Sequence, residues 1–338
     1  MKIIKDIRKN TIILLLITSI VLFFVLKDHF YSIVSTIKNM NFFYLFLAII
    51  MYLLYLILKA YIIYLTINDK KKVTFREAIK HNIITQFFNG ITPFSTGGQP
   101  MEIYMLTEHG IGVGEATSIT LQNFIYYQTA LVIYGILVVV YNSIFHIFPK
   151  VPILRRLVLL GFIINVIVVI LLLAITIYTN FTKKLVFKII NWINKKGIIK
   201  NKDKDKLEKK LLEKIKEFED SAKIIRKRKD LYVKGIIINL LSLTALYIVP
   251  LFIVYGFNDH TSLTTLNTLT ASAYTLLVGS FVPIPGASGG IEYSFIRFFG
   301  NFLKTVPLNS LLIVWRFITY YFAMIIGALI FSVEKKGD

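Results

Sequence analysis

Two glutamates and one arginine stand where apolar sequence surrounds them, and the residues next to the glutamates are helix breakers. Glu102 follows Pro93, Gly97, Gly98, Gln99 and Pro100. Glu292 follows Gly279, Pro283, Pro285, Gly286, Ser288, Gly289 and Gly290, and Arg316 lies inside a later apolar run. Charges at membrane depth are costly, so they pair with one another or face a wet cavity. Non-helical backbone is tolerated there only when protein buries it or when it lines such a cavity. A half-helix that begins inside the membrane turns free N–H groups and its positive dipole end toward that space. The runs Thr96-Gly97-Gly98-Gln99 and Gly286-Ala287-Ser288-Gly289-Gly290 offer those groups with little steric cover, so an anionic phosphate is an expected guest. Glu102 and Glu292 would offset the dipole, cap freed N–H groups or pair with a cation. Arg316 is a partner for either acid or for a lipid phosphate.

Two readings of these charges stay open at this point. One is direct handling of substrate or of a proton. The other is architecture, with Glu292 and Arg316 pinning a broken segment to a helix. For Gly97, Gly98, Gly286 and Gly289, a tight turn is as good a reason as ligand contact. Gln99, Gln122, Asn123 and Gln128 are expected to bridge helices, and Lys59 to snorkel toward the interface.

The elements that must carry these residues follow from composition. Of 338 residues, 56% are hydrophobic, 14% aromatic and only 17% charged, with a mean hydropathy of +0.67. Soluble domains carry about 25% charged residues, so this is an all-α polytopic membrane protein. The absence of Cys excludes disulfides, thiolate catalysis and Cys-based metal centres.

Apolar runs at 11–26, 41–67, 116–142, 153–179, 234–256 and 309–331 predict about six spanning helices. The first follows Lys2, Lys5, Arg8 and Lys9 but ends in no small-residue cleavage motif, so it reads as a retained helix. Stretches 79–106 and 264–303 are apolar but broken by the Gly and Pro residues above. Lys and Arg counts decide whether they cross. If neither crosses and the N-terminus is cytoplasmic, thirty of the thirty-nine basic residues fall inside and seven outside, with Lys59 and Arg316 within spans. One crossing would swap the later loops and spoil that asymmetry. Two re-entrant hairpins with both termini cytoplasmic fit best.

A shift of 190 residues lays Pro93 on Pro283 and Glu102 on Glu292, and carries 41–67 onto 231–257 and 116–142 onto 306–332. Helix, broken hairpin, helix therefore occurs twice, in repeat cores 41–142 and 231–332. The hairpins enter from opposite sides, so the repeat is inverted, an arrangement in which substrate binds near the midplane where the discontinuous elements meet. The chain divides into an N-terminal membrane half (1–182), a basic helical linker (183–233) and a C-terminal membrane half (234–338).

The motifs Thr92-Pro93…Gly98-Gln99-Pro100-Met101-Glu102, Pro283-Ile284-Pro285-Gly286…Gly289-Gly290-Ile291-Glu292 and Trp315-Arg316-Phe317-Ile318-Thr319-Tyr320-Tyr321 resemble the flippase-like transmembrane domain of bacterial lysyl-phosphatidylglycerol synthases, the multiple peptide resistance factors. The likeness covers nearly the whole chain. The first motif departs from the family's more usual Gly-Glu at Pro100-Met101-Glu102. The resemblance implies translocation of lipids or lipid-linked headgroups between leaflets. It also implies that lysyl transfer belongs to a separate soluble domain. Only Ser332 to Asp338 follow the last span, so the expectation is a transporter and not an enzyme, with a membrane-embedded transferase or transferase subunit as the alternative.

Within 183–234, nineteen basic residues face eight acidic ones, and Leu207, Leu211, Ile215, Phe218, Ala222 and Ile225 recur at helical steps. This predicts an amphipathic helix, solvated or lying on anionic headgroups. The five histidines are scattered and lack metal-ligand spacing, and no nucleotide phosphate loop occurs. The expected setting is a bacterial-type cell membrane, with a phospholipid or lipid-linked substrate as partner. No cofactor or nucleic acid is expected, and a homo-oligomer is possible.

Overall fold

The computed structural model describes residues 30–67, 73–148, 152–177 and 228–334, with a few isolated positions between 188 and 216. The span expected at 11–26 and the amphipathic helix expected within 183–233 lie outside the described residues. Among the described residues every regular element is helical. Five helices there are long and apolar enough to cross a membrane: Phe42–Thr66, Val113–Phe145, Leu154–Leu172, Lys229–Gly256 and Thr305–Val333.

A short helix, α1 (Phe30–Lys38), precedes the first of these and was not legible as a separate element. The Asn41 side chain accepts from Phe43 N–H and starts α2 (Phe42–Thr66). Hairpin 1 follows as α3 (Phe75–Ile91) and α4 (Gly98–Glu108), then α5 (Val113–Phe145) and α6 (Pro152–Ile177). In the second half, α7 (Lys229–Tyr247) and α8 (Val249–Gly256) form one jointed span. The joint falls just before Pro250, which has no N–H to continue the helical ladder. Hairpin 2 is α9 (Thr265–Gly279) and α10 (Gly290–Phe299). The last span is α11 (Thr305–Arg316), a π-helical turn (Phe317–Tyr321) and α12 (Phe322–Glu334).

The hairpin arms have 17 and 11 residues in the first case and 15 and 10 in the second. At 1.5 Å per residue none exceeds about 26 Å, short of a hydrocarbon core of about 30 Å. Hairpin 1 starts at Phe75, ahead of the expected 79, because Thr74 and Glu77 form a reciprocal capping box.

The two breaks share one conformation. Thr92 and Ile284 are extended, as the residue before proline must be. A 3₁₀ turn follows, with left-handed backbone at Phe94 and Ser95 (φ 54° each) and at Gly286 and Ala287 (φ 61° and 50°). Aligning the turns requires a shift of 192, not 190. Pro93-Phe94-Ser95-Thr96-Gly97-Gly98 then lies on Pro285-Gly286-Ala287-Ser288-Gly289-Gly290. The equivalence of Glu102 with Glu292 is thereby corrected: Glu292 stands opposite Pro100, and Glu102 opposite Ser294.

Asn41 N–H donates to Gly256 O at 2.7 Å, while Lys59 lies 3.4 Å from Asn239 Oδ1. Helix α2 and the α7–α8 span therefore run antiparallel. Each hairpin follows one of them, so the hairpins enter from opposite ends and their tips touch. Hairpin 1 packs α3 on α12, and hairpin 2 packs α9 on α5. Each hairpin thus leans on the closing span of the other repeat.

Candidate functional site

Beneath the touching tips lies a cavity of about 510 Å³, within the range of small-molecule sites. Its walls are Phe94, Ser95 and Thr96 from tip 1, Gly286 and Ala287 from tip 2, Tyr52, Tyr55 and Lys59 from α2, Asn123, Tyr127 and Gln128 from α5, and Trp315, Arg316, Thr319 and Tyr320 from the last span. Gln99 and Glu102 also face it, whereas Gly97, Gly98, Ser288, Gly289, Gly290 and Glu292 stand behind the wall.

Glu292 and Arg316 form one buried unit, each 6% exposed. Arg316 Nε donates to Glu292 Oε1 at 2.7 Å, and Nη2 donates to the same oxygen. Nη2 also donates to Gly286 O at 3.2 Å. The second carboxylate oxygen accepts Gly289 N–H at 2.6 Å. The arginine therefore serves Glu292 and not Glu102. One guanidinium ties the start of α10 and the tip of hairpin 2 to the last span.

Three of the N–H donors expected at the half-helix starts are already taken. Gly97 N–H donates to Thr92 Oγ1 (2.8 Å), Gly98 N–H to Asn89 Oδ1 (3.0 Å), and Gly289 N–H to Glu292. Capping has moved between side chains because Pro100 occupies the place where hairpin 2 carries Glu292. At Gly98 any Cβ would collide with the Asn89 amide, so glycine there lets the two arms close. The Ser288 hydroxyl turns inward to Pro285 O. Pro93 and Pro285 start the two 3₁₀ turns, and Pro283 precedes the second.

Glu102, 6% exposed, accepts from Asn123 Nδ2 at 3.2 Å, and Asn123 Oδ1 accepts from Thr66 Oγ1 at 2.8 Å. Asn123 therefore joins α2, α4 and α5, as expected of a bridging amide. Gln122 does not bridge; it bonds Ser118 and Tyr126 of its own helix. Lys59 does not snorkel. Its ammonium sits 4.0 Å from the centroid of the Tyr127 ring, and both Lys59 and Glu102 line the cavity. Its signal was present in the sequence, as a lysine deep inside a 25-residue apolar helix.

Tyr320 was quoted only as part of a motif, yet it touches both hairpins. Its hydroxyl donates to Gly90 O at the end of α3 (2.8 Å). Its ring lies against Gly286, where a Cβ would overlap it, and the Arg316 guanidinium stands 5.0 Å from the ring centroid. The π turn beneath it sets Arg316 and Tyr320 toward the tips, a common placement of such turns at functional sites. Two of the scattered histidines also meet. The rings of His81 and His109 are 4.8 Å apart at the base of hairpin 1, and His109 Nε2 is 3.4 Å from Glu77 Oε1.

Comparison with known proteins agrees with this architecture. The family described as Lysylphosphatidylglycerol synthase TM region matches residues 11–327, which include both hairpins and every residue of the cavity wall. A UPF0104 membrane protein of Archaeoglobus fulgidus is 25% identical over 309 residues, spanning 87% of this chain and 88% of that protein.

Proposed function

The chain belongs to the lysylphosphatidylglycerol synthase TM region family, and from that premise we propose that it is a lipid flippase working by alternating access. It moves a phosphate-containing lipid, such as an aminoacyl-phosphatidylglycerol or a glycolipid, between leaflets. The headgroup occupies the central cavity while the acyl chains stay in the bilayer, and the two hairpins are re-entrant gates. The chain sits in the cell membrane with both termini cytoplasmic.

The observation that carries this reading is the meeting of two oppositely entering hairpins over a cavity at their tips. In inverted-repeat transporters the substrate site lies at that junction, and rocking of one half against the other exposes it alternately. The bonds divide accordingly. Glu292, Arg316 and the Gly286 carbonyl hold hairpin 2 to the last span, so they move as one body. The α3–α12 packing, the Tyr320–Gly90 bond and the tip contact join that body to hairpin 1, and these must rearrange for the cavity to open on the side of hairpin 1.

The test is leaflet exchange in proteoliposomes, with several headgroup-labelled lipids bleached from outside. Headgroup-dependent exchange that disappears in Glu292→Ala and Arg316→Ala supports the flippase. If wild type matches empty liposomes for every lipid, with and without a proton gradient, the transport reading fails. A search for a transferase that docks on residues 183–234 then takes its place.

A further inference from the structure

We propose that the part of the headgroup this cavity grips is uncharged and rich in hydroxyls, a glycosyl or polyol group, and that the lipid phosphate is not what it reads. This rests on the cavity being the headgroup site of the proposed flippase.

The charges bordering the cavity are matched within the chain. Arg316 is paired in charge with Glu292 and also donates to the Gly286 carbonyl. Lys59 and Glu102 bring one charge of each sign to the same wall. Two cations and two carboxylates sum to zero, so a net anion or a net cation entering this space finds no surplus counter-charge. An uncompensated charge at membrane depth is strongly disfavoured. Three donors of the usual backbone cradle for phosphate are also engaged, since Gly97, Gly98 and Gly289 donate to Thr92, Asn89 and Glu292.

The hydrogen-bonding capacity that remains is neutral. Thr85 and Gln128 line the cavity, and Thr85 Oγ1 and Gln128 Oε1 are buried with no partner among the described residues. The amide oxygen of Gln128 only accepts, and a phosphodiester only accepts as well, so the two cannot satisfy each other. A hydroxyl donates and accepts, and answers both atoms without adding charge. Gln99 and Thr96 extend the polar wall from hairpin 1. Tyr52, Tyr55 and Trp315 add flat apolar faces of the kind the C–H faces of a sugar ring can lie against.

Trp315 stands at the cavity wall and Trp192 is the other tryptophan of the chain, so Trp192→Phe leaves a single reporter at the site. In an amine-oxide detergent, which carries no sugar, that protein is titrated with dioctanoyl glucosylglycerol, dioctanoyl phosphatidic acid and dioctanoyl lysyl-phosphatidylglycerol. The expected result is a saturable change in Trp315 emission with the glucosyl lipid, at least about tenfold tighter than with either charged lipid. Thr85→Val with Gln128→Leu should weaken it by about tenfold, the loss of one to two hydrogen bonds. Phosphatidic acid or the lysyl lipid binding as tightly as the glucosyl lipid overturns the proposal, and so does the absence of any response. The ranking of lipids is read in the Trp192→Phe protein alone, so it stands even if the double variant misfolds. Leaflet exchange separates this inference from the reading beneath it. Exchange together with preferred binding of a charged lipid refutes the neutral headgroup and leaves the flippase standing. Binding of the glucosyl lipid with no exchange of any lipid does the reverse.

Discussion

Replacing Arg316 with leucine should unfold the tip of hairpin 2 before it affects anything else. The Glu292 carboxylate is 6% exposed and takes two guanidinium bonds on one oxygen and the Gly289 N–H on the other. Without Arg316 it keeps only the last of these, and stranding a buried charge in this way costs about 3–5 kcal/mol. Glu292→Leu is the mirror case, leaving the guanidinium with the Gly286 carbonyl alone, at about the same cost. The double variant has no stranded charge. It loses only the Gly289 cap and the Gly286 donor, about 1 kcal/mol each. Summed single losses of at least about 6 kcal/mol should therefore exceed the double by about 4 kcal/mol or more. The assay is equilibrium unfolding in mixed micelles, followed by Trp315 emission in the Trp192→Phe background. Single and double effects that add within about 0.5 kcal/mol would refute the pinning argument. Leaflet exchange by the folded double variant tells positioning from headgroup handling: it persists if the pair only holds the hairpin and vanishes if the charges themselves meet substrate.

Three further outcomes follow from single contacts. Tyr320→Phe removes only the bond to Gly90 O, about 1 kcal/mol, so opening on the side of hairpin 1 should be easier and leaflet exchange about fivefold faster; an unchanged rate would mean that this bond does not gate. Phe94 holds a left-handed backbone (φ 54°) where hairpin 2 has Gly286, so Phe94→Gly should stabilise the tip by about 1 kcal/mol, read as a higher thermal midpoint, and a lower midpoint would show that the ring's contacts outweigh the strain. Glu77, at the base of hairpin 1 outside the spans, is held below the ordinary carboxylate range by the Thr74 backbone N–H, with the Thr74 hydroxyl and His109 adding to the effect. Its contribution is full above the ordinary glutamate value of about 4.3 and is lost as pH falls through the lower folded value. The gap in thermal midpoint between wild type and Glu77→Gln should therefore close on acidification, and a gap that persists at pH 3 counts against it.

The described spans, the two breaks and the doubling of the pattern were legible because each depends on neighbours in sequence. Apolar runs long enough for a bilayer make α2, α5, α6, α7–α8 and α11–α12, and Pro93 and Pro285 force the residue before them out of the helix. The register of the repeat was misread by two residues because two glutamates were matched by type. Only the backbone shows that Phe94 and Ser95 correspond to Gly286 and Ala287. Sequence patterning could say that N–H groups would be freed at the half-helix starts. It could not say that Thr92, Asn89 and Glu292 would take up those of Gly97, Gly98 and Gly289.

What the sequence determined by itself is the class, the spans, the broken hairpins and the presence of Glu102 and Glu292 at their breaks and of Arg316 within the last span, since hydrophobicity, helix propensity and proline sterics act over a few residues. Tertiary structure alone decided who partners whom. Arg316 chose Glu292 over Glu102, Lys59 turned from the interface to the cavity, and Tyr320 reached Gly90 across 230 positions. A buried charge or hydroxyl must find its partner wherever packing brings one within about 3 Å, and that distance is a property of how helices cross, not of how residues follow one another.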